Sequence, residues 1–276
     1  MNHDANEEPV VSTTEADVVF LGTGTSVGVP TIGCGCAVCK SDDPRNKRTR
    51  CSIVFRLPRG NLLVDTPPDL RTQLLREDIG LIHAVLFTHE HADHLFGLDD
   101  LRLFPFRLQA PVPLYCNEAV EARIRHSYDY AFQDRPQTHP GATPRLTFEN
   151  IADDAFEVLG CAIQPIPLKH GPHFDVLGFR VGDFAYCTDT NHIPPTSMGR
   201  LRNLDTLVLG ALRFSPHPTH FSIEEALAII EELKPRRAYL THLSHDVDHG
   251  PVEAQLPEHV SLGYDGLRLS GLNLLT

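Results

Sequence analysis

Short apolar runs recur along the chain from Asp17 onward, and polar or glycine- and proline-containing segments separate them. Runs of four to six residues rich in β-branched and aromatic side chains, bounded by such segments, are typical of strands. The pattern predicts strands at 17–21, 52–57, 61–65, 84–88, 113–116, 164–168, 177–181, 184–188, 206–209, 237–241, 260–263 and 266–270. The turn residues 58–60 predict a hairpin between the second and third of these strands.

Two stretches have the spacing of helices. Residues 68–77 begin with a proline, which suits the first turn of a helix. Ser222 and Glu225 form a capping box, and the apolar residues behind it recur at the helical period. Because strands and helices alternate without a linker, we predict one α/β domain over 17–276, with two sheets and outer helices. Residues 1–16 are polar and acidic, lack the apolar run of a signal peptide, and are predicted to be a flexible tail.

Composition narrows the function classes. The 276 residues are 41% hydrophobic and 22% charged, which excludes general disorder. With 24 Lys and Arg against 36 Asp and Glu, the net charge of −12 argues against a broad nucleic-acid surface. No stretch of 18 apolar residues occurs, so no membrane span is predicted. The 16 His against two Met and no Trp direct attention to metal sites.

The segment from His89 to His94 reads H-x-H-x-D-H directly after a predicted strand. Imidazole nitrogens and carboxylate oxygens are ligands that zinc and manganese accept. In an extended turn, the period of two would put His89, His91 and Asp93 on one side and His94 elsewhere. The segment could then serve two neighbouring metals.

Further ligand types follow later strands. His170, Asp189 and His242 each stand where a predicted strand runs into a loop. Functional side chains collect at such positions in α/β proteins. Taken singly, each is more often structural, but together with the first segment they can complete a coordination set.

This arrangement resembles the metallo-β-lactamase-fold hydrolases, over nearly the whole chain from Asp17. The resemblance implies an αβ/βα sandwich of two mixed sheets flanked by helices, with the site at one edge between the sheets. It also implies two divalent ions, zinc or manganese, and assigns a role to each candidate ligand. His89, His91 and His170 would bind one metal, Asp93, His94 and His242 the other, Asp189 would bridge them, and Asp65 would orient a ligand histidine.

Cys34, Cys36 and Cys39 form a second constellation. An odd total of seven cysteines with three crowded together indicates metal rather than disulfides, and therefore a reducing compartment such as the cytoplasm. A closed tetrahedral zinc site needs a fourth ligand. On the residues alone, Cys51 and His245 are both candidates for it.

The segment from Gly22 to Ser52, which contains the three cysteines, and the segment from Thr241 through Gly266 resemble the phosphodiesterases of the carbon–phosphorus lyase pathway. That resemblance implies His245 as the fourth ligand of a structural zinc, with Cys51 in the core. It also implies a homodimer and a catalytic role for His220 beside Asp93, with His220 contacting the phosphate and protonating the leaving oxygen. The implied substrate is a small cyclic phosphodiester, phosphoribosyl 1,2-cyclic phosphate.

Other functions remain open on the sequence. The segment from Thr219 to Ala226 also resembles ribonuclease Z, although the acidic charge and the cysteine cluster argue against it. A carbonyl hydrolase would use the same metals without needing His220. A pyrroloquinoline quinone accessory protein and a metal-storing module are weaker alternatives. Lys169 and Arg213 are candidate phosphate contacts, and residues 102–107 are candidate cleft residues in which Phe104 and Phe106 suit a core equally well.

Overall fold

The computed structural model describes residues 16–133, 138–139 and 141–274. Most of the predicted tail therefore lies outside the described residues, and Ala16, which was assigned to that tail, is buried. The described residues form two seven-stranded mixed sheets that pack face to face. This is the predicted αβ/βα sandwich, in which each sheet also carries helices on its outer face.

The first sheet has the strand order β14-β1-β2-β3-β4-β5-β6. Its strands are β1 (Asp17–Gly22), β2 (Ser52–Leu57), β3 (Gly60–Val64), β4 (Ala84–Leu86), β5 (Val112–Cys116), β6 (Leu146–Asn150) and β14 (Arg268–Leu269). The predicted hairpin is present as the antiparallel pair β2 and β3. Strands β3 to β6 are parallel.

The second sheet has the order β13-β12-β11-β10-β9-β8-β7. Its strands are β7 (Phe156–Val158), β8 (Cys161–His170), β9 (Phe174–Val181), β10 (Phe184–Cys187), β11 (Thr206–Gly210), β12 (Arg237–Thr241) and β13 (Val260–Leu262). Strands β10 to β13 are parallel. Each sheet thus has a parallel half, and the carboxyl ends of such strands are where sites form in α/β proteins.

Short helices cover the outer faces. They are α1 (Ala37–Lys40), α2 (Leu70–Arg76), α3 (Ala92–Leu95), α4 (Phe104–Leu108), α5 (Glu118–Ser127), α6 (Pro195–Arg200), α7 (Ile223–Leu233) and α8 (His249–Glu253). The predicted capping box of Ser222 and Glu225 opens α7. None of the helices in the described ranges is both long and apolar enough to cross a bilayer.

The structure corrects several predicted boundaries. β8 begins three residues earlier than predicted and runs on to include His170, which is therefore the last residue of a strand and not a loop residue. β4 ends two residues before the predicted Thr88, and β14 has only two residues. β6, β7 and most of the short helices were not predicted, because their half-exposed faces lack a continuous apolar period.

Candidate metal centre and its neighbouring cysteine cluster

The histidines and aspartates converge because their strands end at one edge of the sandwich. Asp65 directly follows β3, His242 directly follows β12, and Asp189 comes two residues after β10. These three have left-handed backbones, with φ of 63°, 59° and 48° respectively. For a residue other than glycine this conformation costs on the order of 1 kcal/mol or more, and such strain is concentrated at functional sites. The chain turns sharply at each strand end and thereby aims the side chain into the site.

The segment from His89 to His94 is not the predicted extended turn. His91 precedes the short helix α3, and Asp93 and His94 lie on its first turn. The prediction that His89, His91 and Asp93 share one side is therefore wrong, because the backbone changes from extended to helical at His91. Donor atoms of His89 and His91 lie with His170, whereas Asp93 lies with Asp189 and His242, each set within 4.8 Å.

Asp189 occupies the middle of the two sets. Its Oδ1 lies 2.8 Å from Nδ1 of His242, and its Oδ2 lies 3.4 Å from Nε2 of His94. The same Oδ2 lies 4.0 Å from Nε2 of His89. The carboxylate thus faces both groups of imidazoles, as a bridging ligand requires.

Hydrogen bonds behind the site fix the orientation of its rings. Oδ2 of Asp65 accepts from Nδ1 of His94 at 2.7 Å and from the Thr88 hydroxyl at 2.8 Å. The Thr88 hydroxyl in turn lies 2.9 Å from Nδ1 of His89. The carbonyl oxygen of Thr219 accepts from Nδ1 of His170 at 2.8 Å. With these Nδ1 atoms acting as donors, the Nε2 lone pairs point into the site.

Sequence reasoning found Asp65 but missed Thr88 and Thr219. Thr88 immediately precedes His89, and the alternation along the strand gives no sign that its hydroxyl joins Asp65 to that histidine. Thr219 acts through its backbone carbonyl, which is independent of side-chain type. No pattern in the sequence marks either residue.

The arrangement suits cations. Nε2 of His94 lies 3.3 Å from an oxygen of Asp93 and 3.4 Å from one of Asp189, yet it has no hydrogen-bond partner in the described part of the chain. Neither ring nitrogen of the buried His242 makes a well-oriented hydrogen bond there, although its Nδ1 lies 2.8 Å from Asp189. A lone pair that faces carboxylate oxygens is repulsive unless a proton or a metal ion stands between them. The residues present therefore fit divalent metals.

The pKa values of His242 and His94 also reflect the carboxylate charge around these buried rings. Burial lowers the pKa of His242, but the charge and hydrogen bonding of Asp189, together with the neighbouring Cys51, outweigh burial and raise that pKa to about 10. Burial also opposes a charge on His94, whereas Asp189, Asp93 and Asp65 together raise its pKa well above the ordinary value. Both imidazoles would hold protons where no metal is bound. Metal and proton therefore compete for these nitrogens.

His220 lies beside the site, with a ring nitrogen within 4.8 Å of donor atoms of His170 and Asp189. Its ring is stacked on that of His242 with centroids 4.7 Å apart, and the centroid of the His170 ring is 4.6 Å away. Burial, followed by the charge of His242, lowers the pKa of His220 to about 3. His217, which the sequence did not single out, lies 5.1 Å from His220 on the solvent side, ring centroid to ring centroid.

The cysteine cluster is a separate site. Donor atoms of its four residues lie within 4.8 Å of one another: Cys34, Cys36, Cys39 and His245. Nδ1 of His245 is 3.5 Å from the sulfur of Cys34 and 3.4 Å from that of Cys36. Zinc–sulfur and zinc–nitrogen bonds of ordinary length imply a tetrahedral edge of about 3.6 Å, so the donor set fits zinc. Cys51 is instead buried, with its sulfur 3.3 Å from the carbonyl of Gly24.

The glycines of the turn after β1 allow close backbone packing. A Cβ on Gly22 would lie 1.9 Å from the carbonyl oxygen of Arg50, and one on Gly24 would lie 2.7 Å from that of Arg48. Gly24 pairs with Arg50 on one side and with Leu243 on the other. The turn therefore joins the segment that follows the cysteines to the loop of His242, and its glycines serve packing, in keeping with the absence of a dinucleotide motif.

The remaining candidates have more ordinary roles. The Lys169 ammonium pairs with Asp175 at the surface. Arg213 donates to the carbonyl of Ser215 at 3.4 Å, within its own loop. Phe104 belongs to the outer core, whereas Phe106 is 57% exposed.

Comparison with known proteins identifies the family. Residues 60–243 match the model of the Beta-lactamase superfamily domain. The crystal structure of a diphosphatase from the PhnP family is 42% identical, superposes with a TM-score of 0.86, and covers 93% of this chain and 97% of its own. The chain therefore belongs to the metallo-β-lactamase superfamily and, within it, to the PhnP family.

Other similar proteins carry different names. An octanoyltransferase of Porphyromonas gingivalis is 38% identical over 256 residues, which is 90% of this chain but only 50% of that protein. This chain thus spans about half of that relative's length. A ribonuclease Z of Picosynechococcus is 31% identical over 175 residues, covering 60% of this chain and 46% of that protein. Zinc-bound PqqB of Methylobacterium extorquens shares the fold, with 21% identity, a TM-score of 0.74, and coverage of 92% and 99% of the two chains.

Proposed function

We propose that the protein is a binuclear metal-dependent phosphodiesterase that opens a small cyclic phosphodiester, with phosphoribosyl 1,2-cyclic phosphate as the substrate. One observation carries the proposal: the His220 ring lies within 5 Å of those of His170 and His242, which flank Asp189 from the two ligand sets. A side chain in this place can contact a phosphate held by both metals. Carbonyl hydrolysis does not require it.

In the proposed division of ligands, one ion would be held by His89, His91 and His170, and the other by Asp93, His94 and His242, with Asp189 between them. The short distances within the first set, and from His94 to Asp93 and Asp189, support this division. When bound, such a pair of ions lowers the pKa of water and neutralises charge on the phosphoryl oxygens. Asp65 holds Nδ1 of His94 and thereby keeps its Nε2 directed at the ion.

His220 would bind the phosphate and transfer a proton from a ring nitrogen to the departing oxygen. Its low pKa in the free protein keeps the ring neutral. An anionic phosphodiester beside the ring favours the charged form, so on substrate binding the ring would take up a proton from water. The acid would thus be charged only when a substrate is bound, and its proton would go to the departing oxygen.

A second candidate is a diphosphate ester, because the similar PhnP-family structure is named a diphosphatase. Both reactions break a phosphorus–oxygen bond at the same metals. They differ in the leaving group, since a phosphate departs without a proton whereas a ribose alkoxide is strongly basic. The need for an acid therefore distinguishes them.

His220→Ala tests this role. General acid catalysis contributes about 10²–10⁴-fold, so kcat on a ribose cyclic phosphate should fall by that order with unchanged metal content. The loss should shrink on bis-p-nitrophenyl phosphate, whose leaving group needs no proton. Equal losses on both substrates would mean that His220 only positions the phosphate. No loss on either would remove it from the mechanism.

A substrate panel tests the function itself. Metal-loaded protein, with zinc and with manganese, should turn over phosphoribosyl 1,2-cyclic phosphate faster than a nucleoside diphosphate, a pre-tRNA or a thiolester. Preference for the diphosphate would favour the second candidate, and preference for the RNA or the thiolester would overturn the proposal. Failure on every phosphate ester, the generic diester included, would exclude phosphoryl transfer.

We also propose that Cys34, Cys36, Cys39 and His245 hold a structural zinc. The homodimer implied by the family resemblance stays a prediction, which light scattering of the purified protein can test. The cytoplasmic location stays a prediction as well.

A further inference from the structure

The segment after Asp189 holds together two loops of the metal centre. Asn191 lies at the surface beside the site, and its side-chain amide makes two hydrogen bonds. Its Oδ1 accepts from the backbone N–H of Gly171 at 2.8 Å. Its Nδ2 donates to the carbonyl of Pro218 at 2.9 Å. Gly171 follows the ligand His170, and Pro218 stands two residues before His220.

The loop that carries His220 has two further attachments. The backbone N–H of Phe221 donates to the carbonyl of Thr190 at 2.8 Å. The carbonyl of Thr219 accepts from Nδ1 of His170 at 2.8 Å. Three attachments, at Pro218 and Thr219 before His220 and at Phe221 after it, therefore flank this residue. All three lead to the strand ends that carry Asp189 and His170.

Only an amide suits the position of Asn191. One end must accept from an N–H and the other must donate to a carbonyl, which requires the paired acceptor and donor of Asn. A carboxylate would place an oxygen against the Pro218 carbonyl, and an alanine would make neither bond. The Cβ that Gly171 lacks would lie 2.6 Å from the Thr219 methyl, so the two loops pack closely where the amide joins them.

We propose that Asn191 is a positioning residue for His220: its amide fixes the loop of residues 218–221 so that the imidazole faces the scissile phosphate. This inference rests on the proposed role of His220. Since the two hydrogen bonds of its amide go to Gly171 and Pro218, and not to a proposed ligand or to His220, Asn191 acts through the loop. A displacement of a catalytic group by about 1 Å can cost up to 10²-fold in rate.

The test is a double-mutant cycle of Asn191→Ala and His220→Ala, with kcat and KM measured on a ribose cyclic phosphate and on bis-p-nitrophenyl phosphate. Asn191→Ala alone should lower kcat on the cyclic phosphate by about 10- to 100-fold and change KM little. The loss should shrink on the nitrophenyl ester. In the His220→Ala background, Asn191→Ala should have almost no effect, because the imidazole that Asn191 positions is already absent.

Two further variants sharpen the cycle. Asn191→Asp should lose at least as much as Asn191→Ala, because the carboxylate repels the Pro218 carbonyl. Asn273→Ala is the matched control: its amide bonds Asp183 at 3.1 Å, at the opposite end of β10, and its removal should not affect turnover. Elemental analysis and thermal melting accompany each variant. If Asn191→Ala does not fold, Asn191→Ser replaces it, since its short hydroxyl cannot reach both partners.

The outcomes separate the two proposals. Independent, multiplicative losses in the cycle, or a loss of metal from Asn191→Ala, would overturn the inference, because Asn191 would then act elsewhere or through His170. If His220→Ala itself shows no dependence on the leaving group, the proposed role of His220 fails first. If His220→Ala shows that dependence and Asn191→Ala does not, only the inference fails.

Discussion

The cysteine cluster and the histidine–aspartate centre are built differently. Three of the four cluster residues come from one hexapeptide, and two of these three cysteines are only partly buried. Four of the seven proposed ligands of the centre also come from one hexapeptide, 89–94, but the other three stand at the ends of three further strands, and most of the seven are less than 5% exposed. Four donors close a tetrahedron around one ion, whereas the centre spreads seven donors over two proposed ion positions and has a further imidazole, that of His220, beside them. The first is suited to holding structure and the second to chemistry.

The two sites are nevertheless joined by one short loop. His242 belongs to the centre and His245 to the cluster, and the two residues between them are held by hydrogen bonds to neighbouring segments. The Leu243 N–H donates to the carbonyl of Thr23 at 2.9 Å, and the buried Arg48 donates to the carbonyl of Ser244 at 3.2 Å. A substitution in the cluster should therefore also affect the metal centre, but less strongly than it affects the cluster itself.

The largest effect is expected for Asp189→Ala. Loss of a carboxylate shared by both ligand sets should abolish turnover, with a fall of about 10³-fold or more, since both metals lose a ligand. Elemental analysis should find less metal in the centre, with the cluster zinc retained and the circular dichroism spectrum little changed. A fully active Asp189→Ala enzyme would disprove the binuclear assignment.

Asp65→Asn should have an intermediate effect. The neutral amide keeps the size of the side chain but orients His94 and Thr88 less strongly, and loss of such support typically costs about 10- to 100-fold in metal affinity or activity. Titration of the metal-free protein with zinc, beside wild type, measures the change. Unaltered affinity together with unaltered kcat would show that Asp65 does not orient the ligand.

Cys36→Ser should remove the cluster zinc while leaving the metals of the centre in place. Because the loop from His242 to His245 then loses one attachment, we expect a fall of several degrees in Tm and a reduction in kcat smaller than that of Asp65→Asn. Cys51→Ser is the matched control, since Cys51 lies outside the cluster and should keep all the zinc. Equal zinc loss in both variants would reopen the choice of the fourth ligand.

The smallest effect is a linkage between protons and metal. With a pKa near 10, His242 holds a proton at neutral pH when the centre is free of metal, and a binding metal must displace it. The apparent metal affinity should therefore rise with pH up to about 10. Calorimetry in two buffers of different ionisation enthalpy, on protein that keeps its cluster zinc, should show proton release. Binding without release would contradict the proposed role of His242.

The sequence predicted the architecture well where side-chain pattern determines it. The hairpin of β2 and β3 and the capped helix α7 depend on local signals, and both are present. The candidate ligands were selected by residue type and spacing, and the structure brings their donor atoms together in overlapping groups. The path of the chain through the ligand segment was predicted wrongly, since α3 begins at Ala92 and a helix this short has no period to detect.

The contacts that hold the ligand residues and His220 in place could not be predicted from the sequence, for a different reason. The Thr219 carbonyl and the amide of Asn191 act through bonds to backbone groups far away in the sequence. Such bonds depend on where the strand ends meet, which follows from the packing of the whole sandwich. Only the folded chain shows them.

The most direct test of the contrast between the two sites is graded chelation of the purified, metal-loaded protein, with metal content and phosphodiesterase activity followed together. We expect three ions per chain, of which two leave first and take the activity with them. The third should remain until the cluster unfolds. Full activity after the loss of two ions, or a single ion sufficient for full turnover, would contradict a binuclear centre beside a structural zinc.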